Sequence, residues 1–107
     1  MGYRFTTRAR ADLRDIGAYT RNRWGDAQAD RYLSALERRC QELAGAPHLR
    51  RIYEDVPRYF RSLVGRHAIF YREDGDDPIL VVRILHGSML PELHLPLSGD
   101  DDDDERE

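Results

Sequence analysis

Apolar residues change their spacing part-way along this chain of 107 residues, and this change constrains the fold more than any other feature. Two segments before residue 48 carry apolar residues every three or four positions, at Ala9, Leu13, Ile16 and Tyr19, and at Ala29, Leu33, Leu36, Cys40 and Leu43. Such spacing places the side chains on one side of an α-helix. We predict one helix from near Arg8 to about Trp24, and a second that ends after Gly45, where Pro47 stops it.

A tight corner is predicted where Trp24, Gly25 and Asp26 separate the two periodic segments. Gly25 suits the left-handed conformation that closes a helix. The Asp26 carboxylate is expected to accept a hydrogen bond from the first free amides of the second helix. Because the connection is so short, the two helices are expected to pair antiparallel.

The second half of the chain has the pattern of strands. Residues 58–64, 66–72 and 79–86 have strand length and are rich in β-branched or aromatic residues, with Gly65 and residues 74–78 as turns between them. Tyr3 and Phe5 alternate with Arg4 in a short opening strand that reads as an edge. The sequence therefore predicts an α+β fold, with an antiparallel helical hairpin packed on a mainly antiparallel four-stranded sheet in the order β-α-α-β-β-β.

The last strand, residues 79–86, is almost continuously apolar, which is typical of a central strand. Simple alternation places Leu80, Val82, Ile84 and His86 on one face, and we assign that face to the helices. The same alternation leaves Arg83 on the opposite, open face.

The formal charge of -3 conceals an uneven distribution. Residues 100–107 hold seven acids and one Arg, which leaves sixteen Arg and thirteen acids in residues 1–99. We predict a single domain over residues 1–97 and an acidic, disordered tail over residues 98–107. All 17 basic residues are Arg, so chemistry that needs a lysine amine is excluded.

Neither a cofactor nor a metal site is expected. The four histidines lack the close paired spacings of zinc ligands, Cys40 has no neighbouring Cys or His, and no glycine-rich phosphate loop is present. A lone cysteine indicates a reducing compartment, and with neither a leader nor an apolar run of membrane length we expect a cytoplasmic protein without a membrane partner. Asp12 and Asp15 are interpreted as acids that favour the positive end of a helix dipole.

Several segments resemble the ParE/RelE superfamily of bacterial toxins, and they resemble ParE more closely. The similar segments run from residue 11 to residue 89 and include Ala-Asp-Leu-Arg-Asp-Ile at 11–16, Tyr-Thr at 19–20, Trp-Gly at 24–25, Tyr-Leu at 32–33, Leu-Ala at 43–44, Arg-His-Ala-Ile-Phe-Tyr-Arg at 66–72, and Arg-Ile-Leu-His-Gly-Ser-Met at 83–89. The resemblance implies a toxin of a type II toxin-antitoxin system that binds DNA gyrase and traps it on cleaved DNA. It also implies a ParD-like antitoxin as the neutralising partner.

Two alternatives stay open at this point. RelE-like members of the superfamily cut messenger RNA on the ribosome, and His86 and Arg83 are candidates for an acid and a charge stabiliser. Against this activity, the chain has no Lys, no Tyr follows His86, and alternation places Arg83 and His86 on opposite faces. The second alternative is a non-toxic module that has the toxin fold and only binds an antitoxin.

We therefore assign no catalytic residue and expect a surface for protein partners bordered by Arg61, Arg83, His86 and Met89. Arginines on strands are suited to anionic partners, but charged strand faces also serve solubility. Met89 is equally suited to filling the core, and His86 to bonding the sheet end. Sequence-specific nucleic acid binding by the toxin alone is not expected.

Overall fold

The computed structural model describes residues 2–75 and 77–96. Its helices and strands follow one another as β1 (Tyr3–Phe5), α1 (Thr7–Trp24), α2 (Asp26–Gly45), β2 (Phe60–Val64), β3 (His67–Glu73) and β4 (Ile79–His86). Short 3-10 turns occur at Pro47–Leu49 and Pro91–Leu93. The predicted order β-α-α-β-β-β is confirmed. The predicted acidic tail, residues 98–107, and the domain end at residue 97 lie outside the described residues.

The two helices begin and end close to the predicted positions. Thr6 caps α1, since its hydroxyl accepts a hydrogen bond from the amide of Ala9. Gly25 has φ of 93° and joins the helices directly, so α2 begins at the next residue. The predicted capping role of Asp26 is wrong: no side chain caps α2, and Asp26 instead pairs with Arg21 at 3.0 Å.

The four strands form one mixed sheet in the order β1-β4-β3-β2. β2 and β4 both pair antiparallel with β3, and the short β1 pairs parallel with β4. β4 is therefore a central strand, as its apolar sequence predicts, and β1 closes one edge.

A β-bulge in β4 changes which side chains face the helices. Phe70 pairs with Arg83 and Tyr71 with Val81, so Val82 is an extra residue opposite that step. Before the bulge Ile79 and Val81 face the helices, and after it Ile84 does. The predicted placement of Leu80 and Val82 against the helices is wrong, because simple alternation does not continue through a bulge.

The sheet has a hydrophobic core on each face. The helix side buries residues from α1, α2, β3 and β4, among them Ile16, Leu36, Cys40, Leu43, Ile69, Tyr71, Ile79, Val81 and Ile84. The other face is covered by the connector before β2 and the segment after β4, and it buries Tyr53, Val56, Tyr59, Phe70, Leu80, Val82, Leu85 and Leu95. Both β4 faces are thus buried, and the sheet has no broad open face at β4.

The thiol of Cys40 provides a direct test of the helix-side core. Cys40 is buried, and its burial, with a smaller contribution from Glu37, raises the pKa of the thiol to about 12. We expect an aromatic disulfide reagent at pH 8 to modify the native protein about a thousandfold more slowly than the guanidinium-unfolded protein, because thiolate is the reactive form. Modification of the native protein at the unfolded rate would contradict this packing.

Within the described residues, neither helix contains an apolar stretch of the length that a membrane span requires. The same residues hold no group of three or more His, Cys, Asp or Glu side chains placed to bind one metal ion.

Candidate functional site

A groove runs between the helical hairpin and the ends of β3 and β4. It encloses about 740 Å³. Its walls combine aromatic, apolar, cationic and acidic side chains, namely Asp12, Asp15, Ile16, Tyr19, Thr20, Arg23, Trp24, Gln28, Tyr32, Arg66, His67, Arg83, Ile84, His86 and Met89, with Gly65. We call it the hairpin groove. A site of this size and mixed composition suits a segment of another molecule.

An ion pair between Asp12 of α1 and Arg83 of β4 forms the inner wall of the hairpin groove. The guanidinium Nε and Nη2 of Arg83 donate to the two carboxylate oxygens of Asp12 at 2.9 Å each. The amide of Ile84, next to the bulge, donates to the same carboxylate at 2.8 Å. Arg83 also donates through Nη1 to the carbonyl of His94 at 3.4 Å. One carboxylate therefore ties α1 to β4, and through Arg83 to the segment after β4.

The predicted open-face position of Arg83 is wrong. Arg83 is only 9% exposed and its guanidinium lies against Asp12. Arg83 and His86 nevertheless line the same groove, because the long Arg83 side chain reaches Asp12 of α1. Its bidentate partner already neutralises the Arg83 charge.

His67 and His86 lie beside each other where β3 and β4 pair. Their ring centroids are 5.4 Å apart, with the edge of one ring toward the face of the other. The Tyr32 hydroxyl of α2 lies 2.7 Å from Nδ1 of His67 and donates to the carbonyl of Val64 at 3.0 Å. Burial lowers the pKa of His67, the neighbouring His86 lowers it further, and Asp12 opposes the shift. These surroundings favour the neutral form of the His67 imidazole.

The outer rim of the hairpin groove is an exposed aromatic cluster. Tyr19 is 60% exposed and Trp24 is 65% exposed. The guanidinium of Arg23 lies 5.6 Å from the Tyr19 ring centroid and 5.9 Å from the Trp24 ring centroid. Exposed Trp, Tyr and Arg side chains beside an apolar floor are the residue types that dominate binding energy at protein interfaces.

The structure brings together three of the four residues that we expect at the partner surface. Arg83, His86 and Met89 all line the hairpin groove. Met89 additionally packs against the core on the other face of the sheet. Arg61 is not with them: it is an exposed residue of β2 on that other face, where its guanidinium stacks over Tyr53 at 4.8 Å.

Other residues of the hairpin groove are not predicted as site residues from the sequence. The sequence pattern explains Asp12 by the helix dipole. In the structure Asp12 makes a specific ion pair with Arg83, 71 positions away. His67 lies in the 66–72 segment that carries the family resemblance, so that segment holds a usable signal. Tyr19 and Trp24 also lie in segments that carry the resemblance, whereas nothing local distinguishes Arg23 from an ordinary amphipathic pattern.

Comparison with known proteins identifies the family. The model of the ParE toxin of type II toxin-antitoxin systems, parDE, matches residues 3–91, which include all helices and strands named above. The chain belongs to the ParE toxin family. The predicted resemblance is thereby confirmed, and this ParE chain is the toxin component of a type II toxin-antitoxin system.

Individual ParE proteins align over most of their length. Toxin ParE1 of Mycobacterium tuberculosis is 36% identical over 88 residues, which are 81% of this chain and 90% of that protein. Toxin ParE of Escherichia coli is 39% identical over 88 residues, which are 81% and 85%. A solved structure of the chromosomal ParDE TA system from P. aeruginosa has a TM-score of 0.70 at 19% identity, covering 80% of this chain and 95% of that one. At that identity the likeness shows the shared fold.

Proposed function

We propose that this ParE toxin inhibits DNA gyrase by binding it, and that a ParD-like antitoxin neutralises the toxin. The observation that carries the proposal is the hairpin groove, with its exposed Tyr19, Arg23 and Trp24 rim above an apolar floor. Such a surface stabilises a complex when it is covered by a partner. Because gyrase acts on the bacterial chromosome, the proposal also places the toxin in the cytoplasm.

The contacts of the inner wall argue against Arg83 as the charge stabiliser of a ribonuclease. A ribonuclease needs a cation free to stabilise the charge that develops on the phosphorus oxygens. The Arg83 guanidinium is held by both oxygens of Asp12 and by the His94 carbonyl, so its donors and its charge are largely committed to the fold. The groove walls therefore contribute shape, aromatic surface and the cations Arg23 and Arg66.

An antitoxin of the ParD kind is proposed to place an amphipathic segment in or beside the hairpin groove. Apolar anchors on that segment would cover Ile16, Trp24 and Met89, and acidic residues would pair with Arg23 and Arg66. In support, the matching family is described by its parDE pair, and the similar solved structure is that of a ParDE system. The cheapest supporting observation is a short neighbouring reading frame that encodes an amphipathic, partly disordered protein.

The gyrase proposal is tested by trapping cleaved DNA. Purified toxin is incubated with gyrase, ATP and supercoiled plasmid, and the reaction is stopped with detergent and digested with protease. We expect linear plasmid to accumulate with toxin concentration and to disappear when the antitoxin is added first. Unchanged supercoiled plasmid at a molar excess of toxin would count against the proposal. In a separate arm, growth of cells that express the chain without an antitoxin would indicate a non-toxic module.

A ribonuclease remains the second candidate, because the structure places Arg83, His86 and His67 along one groove. Two neighbouring imidazoles are groups that acid-base cleavage of RNA uses. This candidate expects ribosome-dependent cleavage of messenger RNA in a purified translation system, with loss of cleavage in His86→Ala and His67→Ala. Intact message with the wild-type toxin would remove it.

A further inference from the structure

The hydrogen bonds around the two groove histidines fix which ring nitrogen carries the proton in each. The backbone amide of Ser88 donates to Nδ1 of His86 at 3.1 Å, so in neutral His86 the proton lies on Nε2. Around His67, the Val64 carbonyl only accepts. Both Tyr32 contacts are satisfied together only if the Tyr32 hydroxyl donates to Val64 and Nδ1 of His67 donates to Tyr32. Neutral His67 therefore has an unprotonated Nε2.

The two histidines offer an anion one hydrogen-bond donor while His67 is neutral, and a second donor once His67 is protonated. Nε2 of His86 is a donor in either state, whereas Nε2 of His67 becomes one only when that ring is charged. The two ring centroids lie 5.4 Å apart, and both rings line the hairpin groove. In the described part of the chain, the only hydrogen bond of the His67 ring is the one to Tyr32.

Charged and titratable groups from every element around the pair line the same groove. They are Asp12, Asp15 and Arg23 of α1, Tyr32 of α2, Arg66 of the β2–β3 turn, and Arg83 of β4. Asp12 and Arg83 neutralise each other. Of the remaining groups Asp15 is acidic and Arg23 and Arg66 are basic, so the groove carries a net positive charge, which favours a negatively charged ligand.

We propose that His67 and His86 form a subsite for one carboxylate of a protein partner, and that occupation of this subsite adds one proton to His67. The aromatic and apolar rim points to a protein side chain, Asp or Glu on an amphipathic segment, as the source of the carboxylate. The proposal rests on the proposed function only for the identity of that partner. The subsite itself is a property of the toxin alone.

The pH dependence of carboxylate binding follows from two opposite effects on the pKa of His67. In the free toxin, burial and His86 hold the pKa of His67 below its ordinary value, although Asp12 opposes them. A bound carboxylate stabilises the imidazolium and raises that pKa. Binding of a carboxylate thus strengthens as pH falls through the bound-state midpoint of His67, by up to about tenfold per pH unit, and levels off below the free-state midpoint.

Sodium acetate is the probe for this subsite, and histidine NMR of the full chain is the readout. The Hε1 resonances are followed from pH 8.5 to pH 5.5 in acetate and in sodium chloride of equal ionic strength. We expect acetate to move the His67 midpoint to higher pH and to perturb His86. His48, which is exposed in a 3-10 turn outside the groove, provides the reference resonance in both salts.

Three outcomes would overturn the proposal. The first is an acetate response of His67 no larger than that of His48. The second is an unchanged His67 response in His86→Gln, an exposed substitution that leaves the core intact, since the subsite needs both rings. The third is a response to orthophosphate without one to acetate, which would assign the pair to a nucleic acid phosphate. None of these measurements involves gyrase or antitoxin. The subsite proposal and the proposed function can therefore fail separately.

Discussion

Replacing Asp12 by Ala is expected to lower the free energy of unfolding by about 3–5 kcal/mol, the cost of removing one partner of a buried ion pair. Asp12 and Arg83 are almost fully buried, with 12% and 10% of their side chains exposed. Without the carboxylate, the Arg83 guanidinium is left in the protein interior with only the His94 carbonyl, and the Ile84 amide loses its acceptor. The loss should appear as a lower midpoint of urea unfolding with an unchanged slope.

The ion pair itself is separated from the surrounding packing by a double-mutant cycle. Arg83→Met keeps most of the side-chain volume and removes the buried charge, so adding it to Asp12→Ala is expected to restore part of the lost stability. Asp15→Ala is the matched control: it removes an exposed carboxylate one turn further along α1 and should change stability by no more than about 0.5 kcal/mol. Equal losses in Asp12→Ala and Asp15→Ala would contradict the structural role of Asp12.

Replacing Trp24 by Ala is expected to raise the toxin concentration needed for half-inhibition of gyrase by about 30-fold, which corresponds to about 2 kcal/mol at an interface hot spot. Tyr19→Ala should weaken inhibition in the same direction. Both side chains are largely exposed, so neither substitution removes much buried area from the core. Thermal unfolding should therefore shift little while gyrase supercoiling assays show the loss.

Ile52→Ala serves as the matched control for these two substitutions. Ile52 is 60% exposed, like Tyr19, but it lies in the connector before β2 and does not line the hairpin groove. Its removal is expected to leave inhibition within about twofold of wild type. If Ile52→Ala weakens inhibition as much as Trp24→Ala, the gyrase-binding surface lies elsewhere, on the side of the sheet that carries Arg61.

The helices and strands could be predicted because their signals are local. Spacings of three and four residues specify α1 and α2, and Gly65, which has φ of 56° in the β2–β3 turn, separates two of the strands. The faces of β4 could not be predicted in the same way. A bulge depends on how two strands pair, and no residue near Val82 indicates it in the sequence.

The candidate site could be predicted less completely for the same physical reason. Arg83, His86 and Met89 stand in the segment that resembles ParE, and they do line the groove. Asp12 contributes through a contact with Arg83 across 71 residues of sequence, and Tyr32 through contacts with the β2–β3 turn. Such long-range contacts exist only after the helical hairpin has packed on the sheet. Arg61 and Arg83 both pair with Phe70, yet the Arg61 guanidinium lies over Tyr53, away from the groove.

Direct binding of the purified toxin to purified gyrase tests the central claim, that the protein acts by occupying its target through the hairpin groove. Isothermal titration calorimetry of wild-type toxin into gyrase is expected to show saturable binding. Binding in the same experiment should weaken by about 30-fold for Trp24→Ala and be abolished when the antitoxin is bound first. No heat of binding between wild-type toxin and gyrase at tens of micromolar, with the toxin shown to be folded, would contradict the account.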